Sequence, residues 1–142
     1  MSSAIPSGLS RQTYEQVPVA AGTAVALRSL RDALRAREVK EYALVDHGRD
    51  MAAAGAPGHP AWTLVFGNPA AGETLLARDL ATAVDIPLRL AVIETGPDTS
   101  AIVLRPMESL LPPDLAEVAG RFTGMLRSLA SEARDAAERG VL

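Results

Sequence analysis

Two apolar runs, Leu88 to Thr95 and Ser100 to Arg105, flank the tetrapeptide Gly96-Pro97-Asp98-Thr99. Gly and Asp between two strand-like runs are the chemistry of a tight reversal, so this stretch predicts a β-hairpin. A hairpin commits the fold to antiparallel pairing, and the other elements must add to it.

They do so in a recognisable order. Residues 11 to 20 alternate as a strand, with Pro18 placing it near an edge or a strand end. Leu27, Leu30 and Leu34 fall at helical spacing from Thr23 to Arg37, with Arg28, Arg31, Asp32 and Arg35 outside and Thr23 as the expected N-cap. Lys40 to Val45 is a second strand, broken by Asp46-His47-Gly48-Arg49-Asp50 and followed by a helical turn from Met51 to Ala54. Gly55 to Pro60 has the composition of a loop. Trp62 to Phe66 is apolar throughout, which predicts a central strand covered at least partly on both faces. Asn68-Pro69 is a cap and first-position pair that starts a helix through Ala77, and Asp79 caps a further turn over 80 to 84. After Pro112-Pro113, Asp114 caps a long helix whose inner stripe is Leu115, Val118, Phe122, Met125, Leu129 and Ala133. The expected architecture is α+β: a mixed, mostly antiparallel sheet of about five strands backed by helices as a two-layer sandwich, with a long C-terminal helix.

Length and composition bound the chemistry. With 142 residues the chain is expected to form one domain over 11–142, preceded by a disordered tail over 1–10. That opening stretch has neither a basic nor an apolar segment, so no secretory signal is expected and the protein is expected to be cytoplasmic. No run approaches the roughly eighteen apolar residues of a membrane span. The absence of cysteine excludes disulfides, thiolate metal sites and a cysteine nucleophile. A net charge of −3 with scattered basic residues, and only Tyr14, Tyr42, Trp62, Phe66 and Phe122 as aromatics, argues against nucleic acid as a partner.

Gly67-Asn68-Pro69-Ala70-Ala71-Gly72-Glu73-Thr74 matches the phosphate-binding loop Gly-x-x-x-x-Gly-Lys-Ser/Thr at every position except the lysine. That position decides the matter. Lysine brings a cation to the terminal phosphates, whereas Glu73 brings a second anion, which at about 4 Å and an effective dielectric near 20 costs on the order of 4 kcal/mol. Pro69 also lacks the backbone N–H such a loop uses, and Glu41 to Asp46 imitates a magnesium-binding strand only in its final acid. The stretch is therefore a capped helix start, which can still offer backbone N–H groups to a small anionic ligand at Asn68.

Asp46-His47, with Asp50 nearby, is the cluster with acid–base potential: His47 as general base, Asp46 as its orienter. His47 and Asp50, joined by His59, are the weak candidates for a divalent cation, although no metal and no cofactor is expected. The competing reading is that Asp46 caps a short helix while His47 bonds to the backbone. Ser10, Ser100 and Ser109 lack a nucleophile-elbow setting. Trp62 and Phe66 either line an apolar pocket or belong to the core.

Val45-Asp46-His47, Leu64 to Gly72 and Asp85-Ile86-Pro87-Leu88-Arg89 together resemble the bacterial family known as domain of unknown function 302, across roughly residues 12 to 106. Where that family runs from its last strand into a Tyr-Asn-Asp-Pro-like segment, this chain has Leu104-Arg105-Pro106-Met107. The resemblance implies a TATA-binding-protein-like α+β fold and a homodimer, and no reaction. Three functions follow as expectations. The first is a non-catalytic ligand-binding or interaction module with a pocket bounded by Asp46, His47, Trp62, Gly67, Asn68 and Pro69. The second is a small hydrolase or isomerase using His47, and the third a purely structural dimer.

Overall fold

The structure, a computed structural model, describes residues 14–140; the tail expected over 1–10 lies outside them. Five strands form one sheet in the order β1-β5-β4-β3-β2, where β1 is Glu15–Val19, β2 Lys40–Asp46, β3 Ala61–Gly67, β4 Leu88–Gly96 and β5 Thr99–Leu104. Every neighbouring pair is antiparallel, so the sheet contains none of the parallel pairing that a mixed sheet would have. The 96–99 hairpin closes as the sequence indicates, with a register shift between Glu94 and Gly96.

The strands are two-faced. Leu64 and Phe66 of β3, Leu90 and Val92 of β4, and Ile102 and Leu104 of β5 point to one side and are almost completely buried. Two helices cover that side: α1, Thr23–Ala36, and the long α4, Ala116–Gly140. From α1 come Ala26, Leu30, Ala33 and Leu34; from α4 come Val118, Ala119, Leu126, Leu129, Ala130, Ala133 and Ala137. Burial of these side chains, at roughly 25 cal/mol per Å² of apolar surface, is the main source of stability.

The seam of α4 is rotated from the predicted stripe. Phe122 and Met125 are only partly buried, while Thr123, Leu126 and Ala130 face inward. Alanines on both α1 and α4 let the two helices approach closely, and that contact selects the small-residue face over the bulkiest one. At the start of α1 the cap is Gly22, without a side-chain bond, and Thr23 is already helical. Asp114 lies inside a 3-10 turn, Pro113–Leu115, ahead of α4, with no capping role there.

The end of α1 shows how the chain is steered into β2. Glu38 takes a left-handed conformation with φ 56, its N–H reaching Arg35 O and that of Val39 reaching Leu34 O. This paired closure satisfies two terminal carbonyls and turns Val39 toward the core. Surface pairs then tie the layers: Arg37 to Glu132 at 2.7 Å and Arg127 to Glu15 at 2.9 Å. Such exposed pairs are worth at most about 1 kcal/mol each, so the apolar seam decides the arrangement. No helix of the described residues is long and apolar enough to cross a membrane.

One buried polar centre joins α4 to the strand exit. The Thr123 hydroxyl accepts from the Met107 N–H at 2.8 Å and donates to the Glu108 carboxylate. That donation, then the backbone N–H of Glu108 itself and the nearby Arg127 charge, holds the Glu108 carboxyl below its ordinary range. A depressed carboxyl stabilises the fold above its unfolded value, and that contribution is lost as pH falls through the folded one. Thr123→Val should leave the Met107 N–H unpaired and cost about 1–3 kcal/mol at neutral pH. Thermal melts between about pH 5 and pH 3 should then show a shallower acid-side loss for the variant than for the native chain. An unchanged slope would mean that Glu108 is not coupled to folding.

Candidate functional site

Antiparallel pairing separates the six residues expected to bound one pocket. Asp46 lies opposite Trp62, but Gly67 lies opposite Lys40, at the other end of the same ladder. Gly67 lies five residue steps along β3 from Trp62, about 17 Å on a strand. The two faces divide the group again. Trp62 points toward α1, whereas His47 bonds through Nε2 to the Thr63 hydroxyl at 2.7 Å, on the opposite face of β3. One pocket cannot include all six, because β2 and β3 are neighbours that run in opposite directions.

The acid–base pair is likewise unassembled. Asp46 Oδ1 accepts the Arg49 N–H at 2.9 Å, capping α2, His47–Ala53, which is longer than the Met51-to-Ala54 turn expected. His47 is held by a threonine side chain and not by backbone, so the competing reading is right about Asp46 and wrong about the imidazole's partner. Asp50 pairs with Arg49 at 3.5 Å. Among the described residues no three His, Asp or Glu side chains converge on a metal-sized site, so His47, Asp50 and His59 do not form one.

At the other end, Asn68 caps α3, Pro69–Leu76, by accepting the Ala70 N–H at 3.0 Å. Pro69 has no N–H, the Ala70 N–H is taken by the cap, and the Gly72 N–H bonds to Asn68 O at 2.9 Å. This leaves the Ala71 amide as the donor at the first turn, a sparse setting for an anion compared with a phosphate loop. Neither glycine of the motif has a positive φ, and an added Cβ would meet only ordinary contacts, from 3.5 Å. The glycines are therefore not there to let a backbone wrap phosphates.

Two cavities lie elsewhere. One, of about 320 Å³, runs between Trp62 and the α1 side chains Leu27, Arg28, Arg31 and Arg35. Its cations are partly spent: Arg31 forms a two-point pair with Glu41, which raises its pKa, and Arg35 pairs with Asp32. The other, of about 290 Å³, opens where β4 starts and β5 ends, over a floor of Leu88, Met107 and Leu126. Arg89, Arg105 and Asp85 stand at its wall. Sequence reading passed over this site although both arginines were in view. The two belong to different segments, Arg89 to the start of β4 and Arg105 to the chain just past β5, and only the folded hairpin, whose last pair at this end is Ala91 with Val103, brings them to one cavity wall.

The sequence model for the domain of unknown function DUF302 matches residues 15–133. The chain belongs to the DUF302 family. Among solved structures, the crystal structure of an uncharacterized conserved DUF302 protein from Bacillus stearothermophilus is similar, with a TM-score of 0.78 at 19% identity. The match covers 86% of this chain and 98% of that one, which shows a common fold. No curated protein matches significantly.

Within this DUF302 fold, α2 is held by glycines of a different kind. A Cβ on Gly48 would lie 2.9 Å from His59 O, and one on Gly58 would lie 2.8 Å from Gly48 O. The loop before β3 thus packs backbone to backbone on the start of α2. Gly48→Ala should cost about 1–3 kcal/mol by overpacking. Gly72→Ala, in a helix with room for the methyl, should gain up to about 1 kcal/mol. Chemical denaturation of both variants checks the contrast; equal effects would contradict the assignment of strain to Gly48.

Proposed function

We propose that this DUF302 chain is a non-catalytic binding module that works as a homodimer, joined through the sheet face turned away from α1 and α4. The observation that carries this reading is the composition of that face. Strand pairing lines up Pro18, Ala101, Ile93 and Ala61 in one row, and Gln16, Val103, Ala91, Thr63 and Val45 in the next. Val65 continues the surface; Val45, Val65, Ala91, Ile93 and Val103 are half-buried on it, and Ala101 between them is buried. Five strands about 4.8 Å apart and some five residues deep make a face of roughly 400 Å² in projection; Gln16 and the His47-bound Thr63 interrupt it, and the apolar remainder is of the order at which surface patches are often functional.

A second copy is the partner that fits. The rows alternate small and branched side chains, so Ile93, Val103 and Val65 of one sheet can seat over Ala91, Ala101 and Ala61 of another, as facing sheets interdigitate in a sandwich. A two-fold axis running across the strands also keeps the Arg89 and Arg105 of the two copies apart. The resemblance described above implies a homodimer as well. Binding is better supported than turnover by His47, because Asp46 spends its carboxylate on the α2 cap.

Sedimentation equilibrium of the native chain should give a dimer at micromolar concentration. Val103→Lys, which places a charge on the face without entering the helix-side core, should give a monomer with an unchanged circular-dichroism spectrum. A native monomer, or a dimer that survives a folded Val103→Lys, would contradict the proposal.

A further inference from the structure

Beyond self-association, we propose that the cavity at the Arg89–Arg105 end of the sheet is a binding site for a small organic monocarboxylate with an apolar body. The argument starts from an electrostatic cost. Beyond Ala91–Val103, the last pair the two strands make at this end, Arg89 of β4 and Arg105, the residue just after β5, line one wall of the same cavity. Two like charges on one wall repel each other. Among the described residues no carboxylate lies within ion-pair distance of either guanidinium. Residues 1–13 contain no acidic side chain that could supply one. Arg105 is instead held in place by Tyr14, donating to its hydroxyl at 3.1 Å with the guanidinium 4.9 Å from the ring centroid. An anion bridging the two forks would turn the repulsion into two charge-assisted contacts.

The rest of the cavity describes the anion's other end. Leu88, Met107 and Leu126 form a floor that is nearly inaccessible to solvent, while Val84 and Leu110 at the mouth remain 79% and 39% exposed. Large apolar side chains left in water at the rim of a concave site are surface that a ligand's apolar body would cover. A volume of about 290 Å³ is at the small end of ligand sites. Asp85 on the same wall sets the charge count. Two arginines and one carboxylate leave a single net positive charge, which matches a monoanion and disfavours phosphate in its dianionic form.

The test is calorimetric titration of the full chain with phenylacetate, isovalerate and hexanoate, alongside inorganic phosphate and benzyl alcohol. At least one of the carboxylates should bind saturably, and phosphate and benzyl alcohol about tenfold more weakly or not at all. Arg89→Ala should weaken the bound acid about tenfold or more, as loss of a charge-assisted bond does. Asp85→Asn should tighten it severalfold. Independently of any ligand, Arg89→Ala should melt higher than the native chain in low salt, with the difference shrinking as salt screens the pair. The proposal is overturned if none of the three acids binds saturably, if Arg89→Ala leaves the affinity unchanged, if phosphate binds as tightly as the acids, or if Arg89→Ala fails to raise the low-salt melting temperature.

Discussion

Register between β4 and β5 governs both faces of this protein. Val92 sits opposite Ile102 on the helix side, and Ala91 sits opposite Val103 on the other. Because side chains alternate with a period of two, a slip of one residue would send Leu88, Leu90 and Val92 away from α1 and α4. The irregularity between Glu94 and Gly96 is what selects this register over the one the turn would otherwise give. Core packing on one face and the apolar outer rows on the other are consequences of that one offset.

The two faces differ in composition. On the helix side, leucines and alanines meet in close packing that leaves little room for change, and Ser100 spends its hydroxyl on Ala21 O at 2.8 Å to hold the approach to α1. On the other side, short and branched side chains make a nearly uncharged surface across the outer rows. Family membership and a common fold with the Bacillus stearothermophilus protein fit this architecture without naming a reaction. The proposed self-association uses the open face, whereas the proposed anion site lies at the end of the sheet over Leu88, Met107 and Leu126 of the helix side, so either can be tested without presuming the other.

Most elements could be read from the sequence because their signals are local. Asn68-Pro69 starts a helix in the structure as its chemistry requires, Asp79 caps the turn after it, and Gly96 to Thr99 reverses the chain. The pocket could not be read in this way, since it depended on the direction in which β2 and β3 run past each other. Asp46 and Gly67 belong to neighbouring strands but to opposite ends of them. The wall shared by Arg89 and Arg105 was hidden because it joins the start of β4 to the chain just past β5, and the α4 seam by the preference of close helix contacts for alanine over Phe122. Each miss is a case where a tertiary constraint outweighed a local pattern.

The central claim is that the outer rows of the sheet are a working surface covered by a second copy. Methyl NMR with a soluble paramagnetic probe reads this surface residue by residue. If the account holds, the methyls of Val45, Val65, Ala91, Ile93 and Val103 are shielded at high protein concentration and become accessible on dilution, while Leu80 and Val84 stay accessible throughout. Attenuation of the outer-row methyls that does not change with concentration would contradict it.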